Sequence, residues 1–393
     1  MANIHETLNS LFTDIADAIR EVDGTEDTII ADNFPDKIKG IDTASYYIKG
    51  TQWKKTEIAC ETSTTLSNRP LIDYGDGLWC CALTNGLYKS TDGKNYTKCF
   101  DYNSSLICYG NGVWIVLCKS SDAPDGKGFY RSTDLINWTL VLSTTKTWRD
   151  IKYANGIFAI AGEGGVYVSS DDGLTWTQKN TSSSCYSIAY KDGIWVLAKA
   201  SSSTLSKSLL LYSNDNFETI KSCTVPAYST NYGECKGGYT VVKAGENGFV
   251  ALGGLGSYGS ACIASSDGIT WSGDPDITPR SVHDCCYRNG VWVAFAKSNP
   301  IYSLDEGYSW NYGVRNDSFS STSGEAYRII HTGEIFIATG NALGENYSTL
   351  LSADGIHWYE FKSTGFMTDM LFANNMIVGV RPKAITYSEC WTQ

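Results

Sequence analysis

The sequence predicts an all-β fold, a β-propeller of four-stranded blades, and three observations carry that prediction. Two hairpin motifs alternate through residues 43–393, and the pair recurs every ~40 residues, the length of one blade. Asn-Gly and Asp-Gly dipeptides stand between short β-rich runs, where both central residues of a tight hairpin turn need positive φ. The composition, 25 Tyr, 12 Trp and 38 Gly against 8 Pro, suits many short strands and tight turns better than a helical bundle.

The first motif is a pair of apolar strands around such a turn. It is clearest in ICYGNGVWIVLC (107–118), IKYANGIFAIAG (151–162), IAYKDGIWVLAK (188–199) and CCYRNGVWVAFA (285–296), with looser copies at 71–82, 242–253, 329–340 and 371–382. The second motif follows each of these: YVSSDDGLTWTQ (167–178), IASSDGITWSGD (263–274), IYSLDEGYSWNY (301–312) and LLSADGIHWYEF (350–361). More degraded copies lie at 88–99, 130–141, 211–222 and 385–393. Here a strand runs into Ser-x-Asp, a turn follows, and an aromatic opens the next strand. The carboxylate can accept N–H groups across the turn, Gly supplies positive φ, and the aromatic fills the gap between sheets. Asp92, Asp134, Asp171, Asp215, Asp267, Asp305 and Asp354 are therefore expected to make the fold rather than to perform chemistry.

Eight units predict eight blades, or seven if the closing strands are counted differently. The stretch 46–59, with Trp53, is expected to complete the last blade, whose own final strand is cut short at 391–393. Such sharing removes two free sheet edges. The uniform Asn-Gly and Asp turns fall on one face, and the long variable loops on the other. Recognition usually lives on such loops. Aromatic faces stack on sugars and Arg fixes acidic substituents, so Trp148, Tyr228, Tyr232, Tyr258, Arg280 and His283 are the candidate ligand contacts.

The net charge of −11 and the absence of a clustered Lys/Arg stripe argue against a nucleic-acid partner. No apolar run approaches the ~20 residues of a membrane span, and the N-terminus lacks a secretory pattern, so neither membrane insertion nor export is expected. Most of the 13 cysteines, among them Cys80, Cys81, Cys108, Cys118, Cys285 and Cys286, sit in apolar strand patterns and are expected as buried thiols. Scattered histidines and the lack of a dense Asp loop predict neither metal nor cofactor.

Residues 1–42 stand outside the repeat. Leu8, Leu11, Ile15, Ala18 and Val22 follow 3-4-3-4 spacing, which predicts a helix with a coiled-coil seam. So short a seam is marginal alone, so it is expected to join copies of itself, as a trimer, or to dock on another protein. Residues 43–393 would then form the propeller.

Two resemblances add to this reading. The pattern Ser-x-Asp-x-Gly-x-Thr-Trp, present in Ser169, Asp171, Gly173, Thr175 and Trp176, and with Ser309 for Thr beside Ser303, Asp305, Gly307 and Trp310, resembles the Asp-box (BNR) repeat of sialidases and related propellers. It implies architecture more than activity. A sialidase would need three arginines, a Tyr-Glu nucleophile pair and an acid Asp. Only Tyr327-Arg328-Ile329-Ile330 echoes its Arg motif, without the Pro and in the seventh unit, and Arg328 is expected to be an outward strand residue. No enzyme is expected.

The N-terminal segment is similar to the leader of many bacteriophage tail and appendage proteins. The resemblance rests on Ile15-Ala16-Asp17-Ala18-Ile19-Arg20, Gly24-Thr25 and Ala31-Asp32-Asn33-Phe34-Pro35-Asp36-Lys37-Ile38. It implies a virion protein, a tail or other appendage component, attached to other virion proteins through residues 1–42. Its propeller would bind a host-surface glycan or polymer without enzymatic turnover. The alternatives are a structural decoration protein without ligand and a propeller glycosidase of sialidase type.

Overall fold

Tight turns with two positive-φ residues fold the chain into hairpins at Asp76-Gly77, Asn111-Gly112, Asn155-Gly156, Asp192-Gly193 and Asn289-Gly290. The structure, a computed structural model, describes residues 53–57, 71–179, 184–199, 210–226, 228–230, 233–235, 239–254, 260–273, 282–315, 324–341, 349–361, 367–381 and 384–389. All of them belong to one of the two units into which the chain divides, Gln52–Gln393. The helix expected over residues 1–42 lies outside the described residues.

The first blade shows the plan. Leu71–Gly75, Leu78–Leu83, Gly86–Ser90 and Thr97–Phe100 pair in chain order, each antiparallel to the next. Seven more blade sheets follow, with a two-stranded sheet of Tyr228–Thr230 and Gly233–Cys235 between the fourth and the fifth. The fifth replaces its last strand with a bridge between Ala264 and Ser272, and the seventh gains a short parallel strand, Val314–Arg315. The eighth consists of Asp369–Ala373, Met376–Arg381 and Ala384–Glu389, and its fourth strand comes from the other end of the propeller. Trp53–Glu57 pairs antiparallel with Ala384–Glu389, the strand sharing that the sequence predicts. The ring has eight blades.

The innermost strands are Leu71–Gly75, Ser104–Gly110, Trp148–Ala154, Cys185–Lys191, Tyr239–Ala244, Cys285–Arg288, Glu325–His331 and Asp369–Ala373. Each adjoins its two neighbours in turn, and the last adjoins the first. Polar side chains bridge them. Asp369 of the eighth blade accepts the Ile72 N–H of the first (3.1 Å), and Asp73 of the first accepts that of Tyr109 in the second (2.7 Å). Asp150 does the same for Ile188 (2.8 Å) and Asp284 for Ile329 (3.0 Å), while the Ser187 hydroxyl bridges to Val242. Ion pairs join two further junctions: Lys243 to Asp284 at 2.9 Å and Arg328 to Asp369 at 3.0 Å. Arg328 is therefore not the outward residue expected from the sequence. A β-bulge between Ala326 and Arg328 interrupts the strand alternation on which that expectation rested, and the side chain meets carboxylates from both neighbouring blades.

Between blades the packing is aromatic. Trp79, Trp114, Phe158, Trp195, Phe249, Trp292 and Phe336 open the second strands and are buried. Five of them face a tyrosine across the first turn, with ring centroids 4.6–5.1 Å apart. The close approach requires glycine: a Cβ on Gly75 would stand 2.1 Å from the Tyr109 ring of the next blade. The cysteines fill the same layers as small apolar groups. Cys80, Cys81, Cys108, Cys118 and Cys285 are buried free thiols, and burial pushes Cys262 up to about 12.

Seven Asp turns share one geometry. In each, a buried Ser hydroxyl donates to the Asp Oδ1 (2.7–3.1 Å). The same hydroxyl accepts a turn N–H at 2.8–2.9 Å. In six of them the second carboxylate oxygen meets a side chain from the far limb: Asn95, Asn137, Thr175, Thr219, Ser309 or His357. Trp176, Trp271, Trp310 and Trp358 donate their indole N–H to the turn glycine carbonyl at 3.0–3.3 Å. Leu135 and Phe217 replace that glycine in two copies. They keep its positive φ, and their side chains are buried in the core beside it. In the Leu135 copy the Trp138 indole N–H has no partner among the described residues. The eighth unit has Ser388-Glu389 in place of the Asp turn, and its Ser388 hydroxyl is likewise unpartnered among them.

Neighbouring blades are also laced along this turn edge. Asn111 donates to Asp172 (2.9 Å), Asn155 to Asn216 (3.1 Å) and Asn247 to Glu306 (2.9 Å), each linking a first turn to the Asp turn of the next blade.

The turn chemistry predicts how the fold responds to acid. Hydrogen bonds from the Thr219 hydroxyl and N–H hold Asp215 down to about 2. Partial burial opposes the same effect at Asp171, yet the Thr175 bonds win and it too lies at about 2. Values below the ordinary 3.8 mean stability that is complete above that pH and is lost as pH falls toward the folded value. Urea unfolding should therefore give a midpoint that declines steeply below pH ~4, and Asp171→Ala should cost about 1–2 kcal/mol at neutral pH.

Candidate ligand-binding site

At the edge opposite the Asp turns, two loops of the second and third blades come together. The strand Val113–Cys118 runs into residues 119–127, which double back into Gly128–Ser132. The outer strand Thr139–Ser143 crosses through residues 144–147 into Trp148–Ala154 of the next blade. Short backbone bonds hold both loops: Lys119 N–H to Asn103 O (2.8 Å), Gly126 N–H to Ala123 O (2.9 Å) and Thr144 N–H to Lys127 O (3.2 Å). Between them lies a cleft of about 700 Å³, within the range of pockets that take small ligands.

The wall of the cleft is basic. Lys119, Lys127, Lys146 and Arg149 line it, and among the described lining residues there is no carboxylate, although Glu163 accepts the N–H of Thr147 in the same wall. Lys127, Lys146 and Arg149 are exposed. Lys146 is steadied by Tyr167, whose hydroxyl lies 3.2 Å from Nζ, and the Arg149 guanidinium sits over the Tyr186 ring at 4.4 Å. Burial pulls the Lys119 ammonium below its usual range. Ser105 also lines the cleft. Its hydroxyl is buried and has no hydrogen-bond partner among the described residues.

Of the six residues proposed from the sequence, Trp148 is in this cleft. It is a wall rather than a platform, since only 6% of its surface is exposed. Its ring meets Phe129 and Tyr167 edge-on, and its N–H donates to Thr144. His283 lies before the sixth blade, where it meets Glu325 at 3.2 Å and the Tyr327 ring edge-on. The structure does not bring these two together. Tyr232, Tyr258 and Arg280 fall outside the described residues, as does the side chain of Tyr228. Sequence reasoning missed the four cations because they are spread over 31 positions and no run of them is basic. The usable signal was their placement, on the long loop of one unit and the link into the next.

The axial carboxylates are the other charged group to weigh as a site. Burial raises Asp73 to about 6, a value that would suit a general acid. Its oxygens, however, accept the Tyr109 and Tyr74 N–H groups, and Asp369 likewise accepts those of Ile72 and Met370. These acceptors are spent on the backbone of the ring. Among the described residues no group of His, Cys, Asp and Glu has a metal-holding arrangement.

Neither a family model nor a curated protein matches the sequence. Solved structures do. The computationally designed Ika8 protein is similar at 11% identity and a TM-score of 0.57, over 81% of this chain and 95% of that one. The likeness is one of fold alone. The WD40 β-propeller domain of Doa1 follows at 8% identity and 0.47, over 86% and 97%. The GH74 xyloglucanase from Xanthomonas campestris stands at 11% and 0.45, over 79% and 63%.

Two substitutions probe this geometry. Trp148→Ala should lower stability by about 3–5 kcal/mol, as loss of a buried indole does, whereas Lys127→Ala should leave thermal unfolding unchanged. Asp73→Asn should remove one pH dependence. The raised carboxyl contributes stability below 3.8 that is lost as pH rises through about 6. The amide cannot ionise, so the melting temperature of the variant should fall less than that of the parent between those values.

Proposed function

We propose that this protein is a non-enzymatic adhesion component of a bacteriophage virion, a tail or other appendage protein, whose propeller holds a glycan or polymer of the host surface. The observation that carries the reading is the cleft: a rigid ring presents cations beside an aromatic wall on its variable edge. The axial carboxylates, by contrast, are committed to closing the ring. Residues 1–42 attach the chain to other virion proteins or join it to copies of itself, as a trimer, on the strength of their resemblance to phage leaders. Weak contacts repeated over many copies on one particle would give firm adsorption. A net charge of −11 disfavours nucleic acid as partner, and no described helix is long and apolar enough to cross a membrane.

The test uses the full chain on purified bacterial envelopes. Saturable binding without release of reducing ends supports adhesion. Release of sugar fragments by the pure protein would transfer the reading to a glycosidase, and no binding at high concentration would transfer it to a decoration protein. Mass spectrometry of purified particles should find the chain, and light scattering should give a multiple of the single-chain mass for the whole chain but a single-chain mass for residues 43–393.

A further inference from the structure

The basic cleft specifies the chemistry of what it holds. Its four cations stand in a chain where 42 acidic residues outnumber 31 basic ones. Lys127, Lys146 and Arg149 form no ion pair with any described residue, although all three are exposed in one cleft. Cations gathered without counter-charge repel one another, and the arrangement costs stability unless an anion joins it. An anionic group is what answers this, since it neutralises the ammonium and guanidinium groups.

We infer that this cleft binds an acidic segment of a surface glycan polymer, through carboxylate or phosphodiester oxygens held by Lys127, Lys146 and Arg149. This deepens the adhesion reading and rests on it. A glycan suits the site better than nucleic acid does. The cleft spans a few sugar units rather than a long groove, and the acidic remainder of the chain repels a polymer charged at every step. Trp148 gives one apolar wall, against which the body of a sugar can lie.

The experiment measures binding of four probes to the full chain by calorimetry: oligogalacturonate, a glycerol-phosphate oligomer, dextran and a single-stranded oligonucleotide. At least one acidic glycan probe should bind, dextran should not, and affinity should fall about tenfold or more between about 50 and about 500 mM salt. Which of the two acidic probes binds separates a carboxylate source from a phosphodiester one. The triple variant Lys127→Gln, Lys146→Gln, Arg149→Gln should lose about tenfold or more in affinity with a melting temperature no lower than the parent's. Unchanged binding by that variant, equal binding of dextran, or preference for the oligonucleotide would overturn the inference. Envelope binding keeps the two readings apart. If the triple variant still binds envelopes like the parent, adhesion stands and the cleft is not its site; if the parent binds none, adhesion itself fails.

Discussion

Everything in this molecule depends on eight small sheets being held side by side around an axis. A blade alone is a four-stranded sheet with both faces apolar, and it is stable only when neighbours cover it. Aromatic packing supplies the coverage, but it is non-directional and would tolerate slippage between blades. Direction comes from the innermost strands. There, at four junctions, a carboxylate of one blade takes a backbone N–H of the next, which fixes the register between them. The price of this arrangement is that Asp284 and Asp369 are buried and Asp73 and Asp150 half-buried, and desolvation raises Asp73 to about 6. Backbone N–H groups and the cations Lys243 and Arg328 offset that cost.

The fold was legible because its local chemistry is explicit. Asn-Gly turns, Ser-x-Asp turns and the aromatics after them each name a backbone geometry, and their ~40-residue spacing names the blade. The extra strand at Trp53 could be placed because the last unit was visibly short of one. Arg328 was not legible, since a bulge changes the facing of every residue beyond it and leaves no mark in composition. Leu135 and Phe217 break the glycine rule at a turn, and only the structure shows that each fills buried space with its side chain.

The cleft was harder to see for a different reason. Lys119 and Arg149 belong to different blades, and their approach is a property of blade stacking rather than of any stretch of sequence. Trp148 was singled out as a contact face, but the hydroxyl of Thr144 and the rings around it hold it as wall. Scanning for a basic run tests one dimension; the charge pattern of this protein is organised in three. Its overall acidity hides a local inversion of sign, and such an inversion tells more about a ligand than the net value does.

The pairing of Trp53–Glu57 with Ala384–Glu389 also sets an order in time. One partner is among the first segments of the propeller to leave the ribosome and the other is the last. Until Ala384–Glu389 emerges, the eighth blade lacks its outer half and two sheet edges stay open. Blades can form singly during synthesis, each from contacts close in sequence, whereas the closing ladder spans the whole propeller and must wait. A nascent chain of this kind is complete in its parts and open as a ring until Ala384–Glu389 is free to pair, which makes the arrival of that one strand the moment at which the ring is sealed.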